Sequence, residues 1–529
     1  MLVRLLIAGF FFLLAGCAKD PGSKIKLAGR ENQNRIHPNN FSYHLPEKSL
    51  KNYNSSVKNF YSNSDYKTIW TDETDRKALL VSIKLAETDG LIPEDYNYNK
   101  LTELENNKHL KEKECVAYDI LMTESFYKLA NHLFKGKVTA NSIYPDWSLP
   151  QKKLDAGILL SEGLKNHTIN NVLDRCRPPH AVYAGLKKSL KYLKDLPDDS
   201  DIEQLTTSTS IKPNDSLPEV ITIKKRLAYW KDLDNNDTSP VYNKETVKAI
   251  KKFQIRHGIY PDGIIGKTTL AALNTSKKQR EEQIIVNLER WRWFAYDFGN
   301  SAIIINIPNY ALSFVDNKDT IAVHKIVVGK PDRRTPVLHS KLNYLVINPT
   351  WTVPPTILTE VLTPKATEDR SYFTEHNMKI YDIDSNEVAP EDWNPEKATS
   401  YRYVQNSGAD NALGNIKFNF RNPFSVYLHD TNHREFFKRQ KRALSSGCVR
   451  VEKPFDLAGK ILEKEDKEWT AEKIQEMVDL GETENIYLKK TNYIHQLYWT
   501  AWMDKSGLQF RTDIYSLDKA LYKKLRNKL

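Results

Sequence analysis

The sequence predicts a multidomain α+β protein: a helical scaffold, then a small three-helix domain, then a β-rich domain carrying an inserted capping subdomain. Three observations predict it. Apolar residues recur at helical spacing through residues 49–212, glycines break 213–278 into short helices, and β-branched runs bounded by turn residues begin near Ala302. At 529 residues the chain has room for roughly two to four domains, each able to bury its own core.

Residues 1–16 read as an export signal. Arg4 supplies a basic start, and residues 5–14 form an apolar run too short to span a bilayer. The run ends in Leu14-Ala15-Gly16-Cys17, which resembles the lipobox of bacterial lipoproteins. That resemblance implies cleavage before Cys17 and acyl chains on the new N-terminal cysteine, and two or more chains give a stable anchor. Ala18 stands where an inner-membrane retention signal carries Asp, so the expectation is a periplasmic protein lipid-anchored to the outer membrane. Residues 17–48 form the lipidated N-terminus and a polar linker. A formal charge of +11 and a pI near 9.0 favour anionic partners. Behind an export signal these are phospholipid head groups or carboxylate-rich cell wall, not nucleic acid. Cys115 and Cys176 are open to two readings, a disulfide in an oxidising compartment or two buried thiols.

Within 49–212, Leu79, Ile83 and Ala86 fall at i, i+4 and i+7, and Gly90 follows as a C-cap glycine. Ala117, Ile120, Leu121, Leu129, Ala130 and Leu133 mark a second amphipathic helix that stops before Gly136. A stretch rich in Ser, Thr, Asp and Pro over 199–218 reads as a linker. In 213–278 a helix carries Val247, Ile250 and Phe253 on one face, and Gly258, Gly263 and Gly266 are expected in left-handed turns. The run Phe253-Gln254, His257-Gly258-Ile259, Asp262-Gly263-Ile264-Ile265-Gly266, Thr269 and Ala272-Leu273-Asn274 resembles the small three-helix peptidoglycan-binding domain. These are turn and core residues, so they identify a fold better than a ligand.

From 284 to 490 the period changes. Strands are expected at 302–307, 321–329, 344–348, 416–420, 425–428, 449–451 and 486–489, and a further one at 493–499 within a C-terminal segment, 491–529. Residues 351–410 interrupt the strands with a long polar stretch holding scattered prolines, which indicates an inserted capping subdomain or lid.

The chemistry concentrates near the end of the β-rich region. Ser445-Ser446-Gly447-Cys448-Val449-Arg450 places a thiol after a glycine, and His429-Asp430 lies nineteen residues upstream on an apolar, extended run. Thiol acyl transfer needs a thiolate nucleophile, a base to generate it, a group to hold the base, and donors for the oxyanion. Cys448 fits the nucleophile and His429 the general acid/base. Asp430, through its carbonyl or its side chain, fits the orienting group. Gly447 allows a sharp bend, and the N–H groups of Gly447 and Cys448 with the Ser445 and Ser446 hydroxyls fit the oxyanion donors. Arg450 fits a substrate carboxylate or a charge that lowers the thiol pKa. A zinc site of His429, His433 and Cys448 is disfavoured, because an extended run does not bring two imidazoles four apart onto one face. No cofactor is expected. Arg442 belongs to a basic run, from Arg434 to Arg450, that reads either as a solvated face or as an electrostatic funnel.

His429-Asp430 and Ser445-Ser446-Gly447-Cys448-Val449-Arg450 together resemble the active-site motif of L,D-transpeptidases. Asn287 to Trp293, Asn306-Ile307-Pro308, Val328-Gly329-Lys330, Arg334-Thr335-Pro336, Asn348-Pro349-Thr350-Trp351 and Asn411-Ala412-Leu413-Gly414 resemble its larger, Gram-negative, YcbB-type branch. Asn406-Ser407-Gly408 departs from the proline-glycine pair that branch tends to carry, so the lid hinge is expected to differ. The resemblance implies attack of Cys448 on the meso-diaminopimelate–D-Ala bond of a tetrapeptide stem, a thioester, and a 3→3 cross-link formed by a second stem. It also implies acylation by carbapenem-type β-lactams. Tyr427, Trp351 and Asn411, with Arg442, are the expected substrate-binding residues. Two alternatives share the residues: a carboxypeptidase or amide hydrolase on the same scaffold, and a non-catalytic lipoprotein that anchors membrane to wall.

Overall fold

The structure is a computed structural model that describes residues 42–234, 237–294, 297–466 and 468–527. The export signal 1–16, Cys17 and the linker up to residue 41 lie outside the described residues. Among the described residues no helix is long and apolar enough to cross a membrane. The chain divides into two compact units. One consists of Asp297–Tyr498 with Asp146–Leu149; the other gathers the remaining described residues.

The second unit is helical. Glu73–Leu85 starts on an Asp72 side chain that accepts from Thr74 N, and it passes through a 3-10 turn to Gly90 at φ 74°. The long helix Glu112–Lys135 lays Cys115, Met122, Phe126, Leu129 and Leu133 into one core at three- and four-residue spacing. Cys115 and Cys176 are both buried thiols in that core, not joined by a disulfide.

Three helices, Glu219–Tyr229, Lys244–Arg256 and Lys267–Leu273, enclose Ile223, Leu227, Ile250, Phe253 and Leu273. Gln254, fully buried, holds their connecting loop: its Nε2 donates to Asp262 Oδ1 and Ile264 O at 3.0 Å, and its Oε1 accepts from Gly263 N at 2.9 Å. Gly258 and Gly263 take the left-handed turns, at φ 66° and 80°. Gly266 does not; it sits extended at the N-cap of the third helix.

Asn287 to Trp293 ends the helix Lys277–Trp293, which belongs to the helical unit although the sequence reading starts the β-rich domain at 284. It is a polar keystone. Glu289 accepts from Arg292 Nη2 at 2.5 Å and from Val138 N at 2.7 Å, and Arg292 Nη1 reaches Asp89 O at 2.8 Å. Trp291 stacks on Trp499 at 4.3 Å, and Asn287 donates to Thr500 Oγ1 at 2.8 Å. Buried charges survive only when paired and hydrogen-bonded in this way.

The first unit is built on an eleven-stranded mixed sheet. Nine of its strands run in the order Trp147–Ser148, Val337–Ile347, Ile416–Phe420, Leu428–His429, Val449–Val451, Asp319–Gly329, Ala311–Asp316, Ser301–Asn306 and Tyr493–Leu497, while Ala443–Ser445 pairs with Asp319–Gly329 and Glu484–Tyr487 with Val337–Ile347 off this path. The last strand pairs parallel with Ser301–Asn306 and antiparallel with Val337–Ile347, so the order closes on itself. Ala311–Asp316 is absent from the sequence reading; it is a hairpin partner formed after Tyr310 turns at φ 52°. The expected strand 425–428 shortens to Leu428–His429, because the Asn422 side chain accepts from Phe424 N and Val426 N and Ser425 sits at φ 54°. The insertion is not strand-free. Trp351–Thr352, Met378–Tyr381, Glu387–Val388 and Arg402–Gln405 form their own four-stranded sheet over a core of Leu362, Phe373, Trp393 and Tyr403.

Candidate active site

Strands Leu428–His429 and Val449–Val451 run parallel, with His429 opposite Arg450. Ile416–Phe420 runs antiparallel on the far side of the first, with Lys417 opposite His429. Side chains alternate along a strand and partners in register share a face. Lys417, His429 and Arg450 therefore project from one face. Tyr427 and Cys448, each two residues before a member of that face, join it, and Val449 N donates to Tyr427 O at 3.1 Å to continue the pairing.

The loop before Cys448 is tied from inside. Ser445, buried, donates to Cys448 O at 2.6 Å and accepts from Gly447 N at 3.2 Å. Gly447 stands at φ 116°, and its carbonyl accepts from Thr335 Oγ1 at 2.8 Å. Thr335 also accepts from Gly329 N at 2.8 Å, so one hydroxyl fixes two neighbouring segments. Ser446 is exposed, and its Oγ accepts from Arg333 Nη1 at 3.0 Å. Arg333 also pairs with Glu360 of the insertion. Of the two N–H groups expected to face an oxyanion, that of Gly447 is used by Ser445; the Cys448 N–H makes no hydrogen bond among the described residues.

Burial pushes the Cys448 thiol up, opposed by hydrogen bonds from the Tyr427 N–H and hydroxyl and by the charges of Lys417 and Arg450. Burial also pushes His429 down, and Arg450 and Lys417 push it further, to about 3. The carbonyls of Asp430 and Leu413 lie near the imidazole and favour its protonation without reversing that shift. The pair thus rests as a neutral thiol and a neutral imidazole. Burial lowers Lys417 as well, while Cys448 raises it, and its ammonium lies 4.1 Å from the Tyr427 ring centroid. Arg450 donates to Thr431 Oγ1 at 3.2 Å and packs over Phe436.

The structure brings together Cys448, His429, Tyr427, Arg450 and the 445–447 loop. Trp351 joins them, its indole in hydrogen-bonding range of the Tyr427 hydroxyl. Three expected groups lie elsewhere. The Asp430 carboxylate turns away from His429 to accept from Asn415 N at 3.1 Å and Arg434 at 3.2 Å, leaving only its carbonyl near the ring. Asn411 is buried in a turn, donating to Asn406 O at 2.8 Å and accepting from Leu413 N at 2.8 Å. The Arg442 guanidinium is held by the carbonyls of Ile326, Arg439 and Tyr310 at 2.9–3.1 Å. His433 is exposed beside Glu435. Lys417 and Thr335 are the residues the sequence reading missed. The alternation Ile416-Lys417-Phe418-Asn419-Phe420 shows that Lys417 faces away from Ile416 and Phe418, but only the pairing shows that it faces His429.

Comparison with known proteins bears on this face. Residues 300–476 match the model of the L,D-transpeptidase catalytic domain. Residues 216–273 match a "Putative peptidoglycan binding domain" and 55–190 a scaffold domain. A "Putative L,D-transpeptidase" of Haemophilus influenzae is 38% identical over 251 residues, 47% of this chain and 50% of that protein. The chain thus aligns with about half the length of this curated relative. An L,D-transpeptidase crystal structure from Stackebrandtia nassauensis is 14% identical, covering 55% of this chain and 97% of that one, with a TM-score of 0.21 that carries no argument about the fold.

Proposed function

We propose that this protein is a cysteine L,D-transpeptidase of the cell envelope, which forms 3→3 cross-links between meso-diaminopimelate residues of peptidoglycan stems. Its expected station is the periplasm, on a lipid anchor at Cys17 in the outer membrane. The observation that carries the reading is the single sheet face that sets Cys448 and Tyr427 beside His429, Lys417 and Arg450, inside the segment matching the L,D-transpeptidase domain.

The chemistry follows from the protonation states. A neutral His429 can accept a proton, and substrate binding brings it into use as Cys448 loses one. Two donors from Tyr427 and the cations Lys417 and Arg450 stabilise the thiolate as it forms. The sulfur attacks the carbonyl between diaminopimelate and D-Ala, and the oxyanion takes the free Cys448 N–H. The C–N bond breaks, His429 returns its proton to the leaving amine, and D-Ala departs from a thioester. The side-chain amine of a second stem then attacks the thioester carbonyl and gives its proton to His429, the C–S bond breaks, and the departing thiolate takes that proton back to restore the neutral pair. Water in place of that amine yields a tripeptide. Trp351, reaching in from the insertion, supports a capping role for that segment over the bound stem.

The test is muropeptide analysis of purified sacculi incubated with the protein. Expected are new 3→3 dimers that vanish with Cys448→Ala. Tripeptides alone favour the carboxypeptidase, and an unchanged profile with binding intact favours the wall anchor.

A further inference from the structure

We propose that the helical unit holds a second substrate site, a saccharide cleft that takes the N-acetylated hexose units of a glycan strand. A cleft of about 830 Å³ opens between the helix Ser55–Ser62, the C-terminal half of Glu112–Lys135, and the first turn of the helix Ala156–Asn166. It lies in the size range of small-ligand sites, about 300–1,000 Å³, and has room for more than one sugar ring.

The lining selects the ligand class. Asn59, Asn63 and Asn131 bring three side-chain amides, Tyr127 a phenol, Asp155 a carboxylate, and Phe60 a half-buried ring. The amides of Asn59 and Asn63 and the Tyr127 hydroxyl make no side-chain hydrogen bond among the described residues. Asp155 uses Oδ1 to cap its helix, accepting from Gly157 N at 3.0 Å and Ile158 N at 3.1 Å, which leaves Oδ2 open. Asn131 uses one amide hydrogen on Tyr127 O at 2.9 Å and keeps its oxygen.

An apolar ligand would leave these groups unpaired, at a desolvation cost each. A polyanion would meet the Asp155 carboxylate with only Lys135 to offset it. A neutral polyol bearing acetamido groups satisfies both the amides and the carboxylate. Its C–H face fits Phe60, which packs edge-to-face on Tyr127 at 6.1 Å.

Gly157 is the second sign of a kept space. It lies in the first turn of a helix, outside the left-handed region, so the backbone itself does not require glycine there. A Cβ there would stand 2.7 Å from the Tyr127 hydroxyl and 3.5 Å from the Phe60 ring. Glycine keeps the phenol open. The assignment rests on the proposed transpeptidase reading only for which glycan is bound; the polyol chemistry is independent of it.

The test uses the full chain and two probes: chitotetraose, and glycan strands stripped of stem peptides, which offer nothing to Cys448. Hydrogen exchange is expected to slow at 56–64 and 155–161 on adding either probe. Asn59→Ala with Tyr127→Phe is expected to raise Kd at least tenfold and abolish that protection, as is Gly157→Ala alone, while carbapenem acylation of Cys448 keeps its wild-type rate and reports an intact fold. Protection confined to 216–273, protection nowhere, or wild-type affinity in the double variant overturns the proposal. A wild-type protein that fails to acylate counts against the transpeptidase reading alone, and the exchange readout still decides the cleft.

Discussion

The Lys417 ammonium stands 4.1 Å from the Tyr427 ring centroid, on the same sheet face as Cys448. It is a half-buried cation next to a half-buried thiol, and its charge works against the desolvation that holds the thiol protonated. Lys417→Met therefore moves the pH midpoint of Cys448 alkylation upward and slows iodoacetamide labelling at neutral pH by about tenfold, the change expected for one pKa unit. Lys417→Arg keeps the midpoint near its original value. Equal midpoints in wild type and the Met variant would show that the charge does not reach the sulfur.

His429 has a sign that can be measured. Its folded pKa of about 3 lies below the ordinary 6.5, so between those values the unfolded chain binds the extra proton. Stability from this group is complete above pH 6.5 and is lost as pH falls toward 3, on the order of 3 kcal/mol by pH 4. His429→Gln narrows the difference between the Tm at pH 7 and at pH 4. If the gap stays as wide as in the wild type, the imidazole is not held neutral.

Gly447 is tested by adding one methyl group. At φ 116° a Cβ is strained by about 1–3 kcal/mol, and the loop it distorts carries Cys448. Gly447→Ala is expected to lower Tm by a few degrees and to slow carbapenem acylation at least a hundredfold, followed by intact-mass spectrometry. An Ala variant acylated at the wild-type rate would remove the loop geometry from the account.

Thr335 offers a milder probe of the same loop. Thr335→Val removes the hydroxyl that bonds Gly447 O and Gly329 N, at a cost of about 1–3 kcal/mol in stability. Acylation is expected to slow about tenfold while the protein stays folded by circular dichroism. Serine in its place restores the rate.

In the helical unit, Glu289→Gln leaves Arg292 buried without its counter-charge. Loss of about 3–5 kcal/mol is expected, read as a lowered thermal transition. Wild-type stability would mean that the Asp89 carbonyl and Tyr183 hydroxyl suffice to hold the guanidinium.

Where an interaction is local, the sequence was readable. The glycine after the helix 73–85, the Gln254 loop motif and the Cys-His spacing all lie in short windows with one physical reading. The site's other members depend on pairing between strands far apart in sequence. Lys417 is one lysine in an alternating run until its partner strand is known. Thr335 is a turn residue until Gly447 is seen above it. Asn411 and Arg442 are polar residues near the motif whose side chains bond to the backbone around them, and no local pattern reveals that. The strand Ala311–Asp316 escaped because its six residues mix Ser and Asp with the apolar positions, and only the hairpin to Ser301–Asn306 stabilises it.

The double pairing of Tyr493–Leu497 sets a timetable for the thiol. Val337–Ile347 takes partners from near residue 147 and from beyond residue 484, so the sheet beneath Cys448 cannot close until most of the chain has been made. Such long-range contacts form slowly. A nascent chain that exposes its cysteine therefore lacks His429, Lys417 and Tyr427 in place beside it, and that arrangement is complete only with assembly of the last strand.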